Sequence, residues 1–128
     1  MDKRILLLRI SYWVGIFADG FATLLMLFPK IDSGSEYRYA LGLGASLMFG
    51  WTLLLIWADR KPMERKGVLL LTVFPVCTGL LSAEIYAVIT GVITLNKMLP
   101  TAIFLVVLII LFSFSVFYAR SADNQPFR

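Results

Sequence analysis

The sequence predicts an all-α fold: one integral membrane domain over residues 1–128, with four spans in an antiparallel, up-down four-helix bundle. Three observations predict it. Apolar residues make up 59% of the chain and charged residues 16%, whereas soluble domains are about half apolar and about a quarter charged. Four apolar stretches reach the roughly 20 residues that a membrane helix needs. The links between them are short and polar, which makes sequential helices pack antiparallel.

The first span is predicted over about residues 8–28, where an apolar run stops before Pro29 and Lys30. Arg9 and Asp19 interrupt this run, and the run is longer than the apolar core of a signal peptide. We therefore expect it to stay in the protein as a helix.

The other three spans are predicted over about residues 39–58, 68–89 and 99–118. The third contains Pro75, which lacks a backbone donor and should kink the helix. The fourth has neither a charge nor a ridge of small residues. It is therefore predicted to be the most peripheral helix, or a docking face, around a tight core of the first three spans.

The distribution of basic residues predicts the orientation. Four spans put both termini and the middle loop on the same side. That side holds nine of the 12 Lys and Arg residues, which indicates the plasma (inner) membrane with both termini in the cytoplasm. Membrane lipids are the expected partners. Nucleic acid is not expected, since no segment is long enough to fold a basic face. The nine residues are Lys3, Arg4, Arg9, Arg60, Lys61, Arg65, Lys66, Arg120 and Arg128, and the other three are Lys30, Arg38 and Lys97.

Asp19 adds more to the free energy of membrane insertion than any other residue at the centre of the first span. An aspartate at the centre of a membrane helix costs about 2.5 to 3.5 kcal/mol, and each Leu, Ile, Phe or Val returns at most about 0.3 to 0.6 kcal/mol. Asp19 thus cancels most of the tendency of this segment to insert, so we expect it to face the bundle interior. Residues three, four and seven positions away share its helix face. They include Gly15 for close packing, and Tyr12 and Thr23 as possible hydroxyl partners.

A second acid, Glu84, lies in the third span, with Tyr86 nearby as another possible hydroxyl partner. Small residues spaced four apart run beside Glu84 and along the second span, a pattern that favours close helix contact and makes a homodimer plausible. These predicted packing residues are Gly79, Ala83 and Ala87 in the third span, Gly42, Ser46 and Gly50 in the second, and Gly15 in the first.

Several function classes lack the residues they need. The chain has no histidine and one cysteine, Cys77. This removes His-ligated metal sites, imidazole base catalysis and internal disulfides. We see no catalytic set, so no enzyme activity is predicted, and neither a cofactor nor a metal.

The stretch YWVGIFADGFATLLMLF, residues 12–28, resembles the first helix of small multidrug resistance transporters, which also have four short spans. The matching residues are Ala18, Asp19, Thr23, Met26 and Phe28. In that family the acid is a glutamate that binds a substrate cation and protons in turn, so the resemblance implies this role for Asp19. The segment WADRKPMERKGVLLLTVFPV resembles a group of small prokaryotic four-span membrane proteins with no assigned activity.

Two hypotheses follow. The first is binding or transport of a small molecule or cation at an intramembrane carboxylate site, coupled to protons, with Asp19 and Glu84 as its acids. The alternative is an accessory or assembly subunit of a larger membrane complex, in which both carboxyls are structural and no ligand binds.

Overall fold

The computed structural model describes residues 2–28 and 34–123. The described chain is all helical, and four of its segments are long and apolar enough to cross a membrane. This confirms the predicted fold class. The helices are α1 (Lys3–Leu27), α2 (Ser35–Asp59), α3 (Gly67–Leu71), α4 (Thr78–Ile89) and α5 (Leu95–Asp123), and a π-helix, Thr72–Cys77, joins α3 to α4.

The start of α1, the end of α2, the start of α3 and the end of α5 meet at one end of the bundle, which we call the basic end. Tyr12 of α1 donates its hydroxyl hydrogen to the backbone carbonyl of Arg65, before α3, at 2.8 Å. The Arg65 guanidinium donates to the backbone carbonyl of Trp57 in α2. It also lies over the Trp57 side chain, 3.4 Å from the ring centroid. Arg9 pairs with Asp59 at 3.8 Å. These contacts set α1 antiparallel to α2.

The fourth span, α5, is a core helix. Phe112 and Val116 have no exposed surface, and the Ser115 hydroxyl is hydrogen-bonded to that of Ser11 in α1. α5 also packs against α3, the π-helix and α4. The prediction that this span is peripheral is therefore wrong. Large apolar side chains fill the gaps between neighbouring helices, so a helix needs no small residues to be central. The buried core comprises Leu8, Tyr12, Ile16, Leu55, Ala58, Leu69, Val73, Cys77, Leu105, Leu108, Phe112, Val116 and Ala119.

The face of α2 that packs against α1 differs from the predicted one. Ala45, Thr52 and Leu55 are buried on the α1 side. Gly42, Ser46 and Gly50, by contrast, are exposed in the described chain, and the two glycines have open space where a Cβ would lie. The prediction that this small-residue row packs against another helix of the chain is corrected. Ala45 lies one residue before Ser46, and each residue turns the helix by about 100°, so the two rows lie on different faces of α2.

The predicted packing residues of the third span lie in other surroundings. Gly79 is exposed, with open space where a Cβ would lie. Ala83 and Ala87 line a cavity. Of the predicted packing residues, Gly15 is buried between α2 and α5.

The third span changes its winding at the predicted kink. Pro75 lies inside the π-helix. A proline removes one helical hydrogen bond and its ring clashes with the carbonyl four residues earlier, and a wider π-turn relieves both problems. Trp51 of α2 fixes the start of this segment by donating its indole hydrogen to the Thr72 hydroxyl at 3.1 Å. Beyond it, α4 has no buried residue.

The close approach of three helices at Gly15 gives a direct test of this packing. A Cβ on Gly15 would lie 3.1 Å from Leu55 Cδ1 and 3.2 Å from Phe112 Cζ, whereas a Cβ on Gly20 would meet nothing within 4 Å. We expect Gly15→Val to lower the free energy of unfolding by about 1 to 3 kcal/mol through overpacking. The matched control Gly20→Val should lose nothing. Detergent-induced unfolding midpoints measure both, and equal midpoints would contradict the packing described.

Candidate functional site

A cavity of about 440 Å³ lies among α1, the third span and α5, with one side chain from α2. Its walls are mostly apolar, and both intramembrane acids contribute to them. Its lining residues are Gly15, Ala18, Asp19, Ala22, Met26, Met48, Thr72, Val76, Cys77, Leu80, Ala83, Glu84, Ala87, Ile93, Thr101, Phe104, Leu105, Leu108 and Phe112.

Asp19 reaches the cavity from the inner face of α1, where it lies four residues after Gly15 and three before Ala22. The residue is 8% exposed. Its Oδ2 atom is buried and has no hydrogen-bond partner among the described residues. Thr23 does not supply one, because its hydroxyl donates to the backbone carbonyl of Asp19 at 2.8 Å.

Glu84 reaches the same cavity from α4, and its buried Oε2 likewise has no hydrogen-bond partner in the described chain. Glu84 lies seven residues beyond Cys77 on the third span, about 10 Å along the helix axis, and both residues line the cavity together with Asp19.

Besides its two acids, the polar residues of the lining are Thr72, Thr101 and Cys77. No Lys or Arg of the described residues contributes to it. The Thr72 hydroxyl donates to the carbonyl of Val68 and accepts from Trp51, so it is already occupied. Within the described residues, no group of three or more His, Cys, Asp or Glu side chains could hold a metal ion. The site can therefore accept protons or a positively charged group, and it lacks an activated nucleophile.

The structure brings together two of the five predicted ligand residues, Asp19 and Glu84. Tyr12 is buried, but its hydroxyl is bound to Arg65 at the basic end. Thr23 bonds to its own helix. Tyr86 is 69% exposed and does not line the cavity. The prediction that these three hydroxyl groups belong to the site is therefore wrong. A shared helix face places a hydroxyl near an acid without directing the hydroxyl toward it.

The sequence missed the wall that α5 supplies, which includes Thr101, Phe104 and Leu108. Since α5 is apolar on all sides, its pattern gives no signal of which face turns inward. One signal was present on the third span. Cys77 is seven residues before Glu84 and therefore shares its face, and the structure places both in the lining.

No family model matches this chain, and no curated protein or solved structure is significantly similar to it.

Proposed function

We propose that this protein binds a small molecule or cation within the membrane, at the cavity shared by Asp19 and Glu84, and transports it in exchange for protons. The observation that carries the proposal is the pair of unpartnered carboxyl oxygens in one apolar cavity. Acids inside a membrane are expensive, and those that persist usually serve an ion, a proton or a ligand. A structural carboxyl would be expected to use both of its oxygens on neighbouring helices.

The size and lining of the cavity support a ligand. Pockets for small molecules typically have about 300 to 1,000 Å³, apolar walls and a few polar groups that fix orientation. This cavity has 440 Å³ and two such groups.

Proton exchange follows from the cost of charge in such a place. An isolated carboxylate in apolar surroundings costs several kcal/mol, so an empty cavity is most stable with both carboxyls neutral. A positively charged ligand removes that cost by pairing with a carboxylate, and the proton leaves as the ligand enters. One positive charge replaces another, so the cavity stays neutral throughout the exchange.

We further propose that the protein lies in the plasma membrane with the basic end in the cytoplasm. Arg9, Arg65 and their neighbours at that end support this orientation by the positive-inside rule. Lys30 and Arg128, which also enter the charge count, lie outside the described residues.

Native mass spectrometry tests the proposal on protein purified from its own membranes in a mild detergent. We expect the wild type to carry a bound small molecule. Asp19→Asn and Glu84→Gln should retain less than about a tenth of it, a loss that corresponds to about 1.4 kcal/mol or more. The control is Glu64→Gln, which removes an exposed acid paired with Lys61 outside the cavity and should leave occupancy unchanged.

Two results would contradict the proposal: a wild type with no bound small molecule, or equal occupancy in the wild type and Asp19→Asn. If the empty wild type also retained a stoichiometric protein partner, the accessory-subunit hypothesis would replace it.

A further inference from the structure

We infer that the ligand is an apolar molecule with a protonated amine, whose N–H group binds Asp19. This inference rests on the proposed function and adds the chemical class of the ligand. It starts from Asp19, which is more than nine-tenths buried and yet leaves Oδ2 unpartnered at the cavity.

The two free oxygens define what the ligand must offer. Carboxylate oxygens are acceptors only, and the strongest bonds they accept come from charged N–H donors. Oδ2 of Asp19 and Oε2 of Glu84 both lack a donor in the described chain. A protonated amine has at least one N–H bond and can supply it to Oδ2 of Asp19. A quaternary ammonium has the same charge but no N–H bond, so it would leave that oxygen unsatisfied.

Other charged ligands fit the lining less well. An anion would meet two acids and no Lys or Arg. A calcium ion needs about six to eight oxygen ligands, and magnesium needs near-octahedral oxygen coordination, which this apolar lining does not provide. A bare ion would also leave most of the 440 Å³ empty, since a water molecule accounts for only about 30 Å³.

The apolar body of the ligand is inferred from the wall that α5 supplies. Phe104, Leu105, Leu108 and Phe112 make up most of that wall. Its aromatic and branched side chains offer neither a charge nor a free donor, which suits a hydrocarbon chain or ring.

The inferred ligand enters from the lipid. α1 and α4 border the cavity without packing closely against each other in the described chain. On the α4 side of this gap, Ala83 lines the cavity and is also exposed. A gap between two membrane helices opens toward the hydrocarbon layer, into which an amphiphilic amine inserts its apolar body while its charged group stays at the interface.

A matched series of three probes tests the inference: 4-phenylbutylamine, 4-phenylbutan-1-ol and 4-phenylbutyl-trimethylammonium. They share an apolar body and differ in the N–H group and the charge. Calorimetric titration of the full chain in lipid nanodiscs, with empty nanodiscs as the partition blank, measures each Kd. We expect the amine to bind at least about tenfold more tightly than the other two, the usual scale for losing a hydrogen bond to a charged group.

The carboxyl variants supply the second comparison. Asp19→Asn should weaken amine binding by about tenfold or more and leave the alcohol unchanged, while Glu64→Gln should alter neither. If Asp19→Asn does not fold, the comparison of three probes on the wild type still decides the question.

The inference is overturned if the alcohol or the quaternary ion binds as tightly as the amine, or if none of the three binds. Native mass spectrometry separates the two levels of failure. If the wild type retains a small molecule that Asp19→Asn loses, but the probe series fails, the proposed function stands and the assignment of the ligand as an amine is wrong. A wild type without any small molecule would remove both.

Discussion

Phe112→Ala is expected to lower the free energy of unfolding by about 2 to 4 kcal/mol, the largest stability effect that we predict for a single substitution. Soluble cores lose about 3 to 5 kcal/mol on this change, and part of that loss reflects transfer from water, which is smaller when the reference environment is lipid. Phe112 has no exposed surface and lies 3.2 Å from the position of a Cβ on Gly15. Truncation would therefore remove the ring that fills the space between α5 and α1 and leave a cavity there.

Phe114→Ala is the matched control on the same helix. Phe114 is 59% exposed and stacks on Tyr118, with ring centroids 6.0 Å apart. Its removal should cost less than about 1 kcal/mol, the usual scale of a surface substitution with an aromatic contact. Unfolding in mixed micelles measures both variants. Equal losses would mean that α5 is peripheral after all and would overturn the core described above.

The second large effect concerns pH. The wild type should lose about 1 to 4 kcal/mol of stability between pH 5 and pH 8, since each fully coupled proton contributes about 1.4 kcal/mol per pH unit. The sign follows from proton binding. Under the proposed function, the empty cavity of the folded protein holds both carboxyls neutral. The folded protein then binds more protons than the unfolded one, so stability falls as pH rises.

Asp19→Asn removes one ionising group from the cavity with almost no change in volume. The variant should unfold within about 1 kcal/mol of the wild type at pH 5, because the lost Oδ2 made no hydrogen bond. The stability of this variant should also depend much less on pH than that of the wild type. Adding Glu84→Gln should reduce the pH dependence of stability further. Thermal midpoints in detergent at both pH values measure this. If Asp19→Asn melts several degrees lower at both, the carboxyl is structural, and the binding proposal loses its main support.

How far the sequence predicts this fold depends on what each residue costs in lipid. The four spans follow from length and hydropathy, because a helix is the simplest way to satisfy backbone groups in a bilayer. Asp19 and Glu84 could be assigned to the interior because a charge facing lipid is expensive. The position of a residue in the bundle was thus predictable where exposure of that residue to lipid would cost much free energy.

The rotation of the helices was not predictable for the converse reason. Lipid is as apolar as a protein core, so a membrane helix needs no polar outer face to reveal its inner one. Gly42 and Ala45 of α2 were equally acceptable candidates for the contact with α1, and the structure buries only Ala45. The meeting of Asp19 and Glu84 also depends on the winding of the third span around Pro75, which a count of residues does not give.

The absence of buried residues in α4 determines how quickly the cavity can exchange its contents. Elements that bury little surface open at a low cost in free energy, independently of the rest of a protein. α4 follows a wide π-turn and carries Glu84, so a microsecond-to-millisecond movement of this half-helix would separate the two carboxyls while α1, α2 and α5 stay assembled. Under the proposed function, the residence time of a ligand would be set by the motion of the twelve residues of α4, while the packed remainder would hold Asp19 in place.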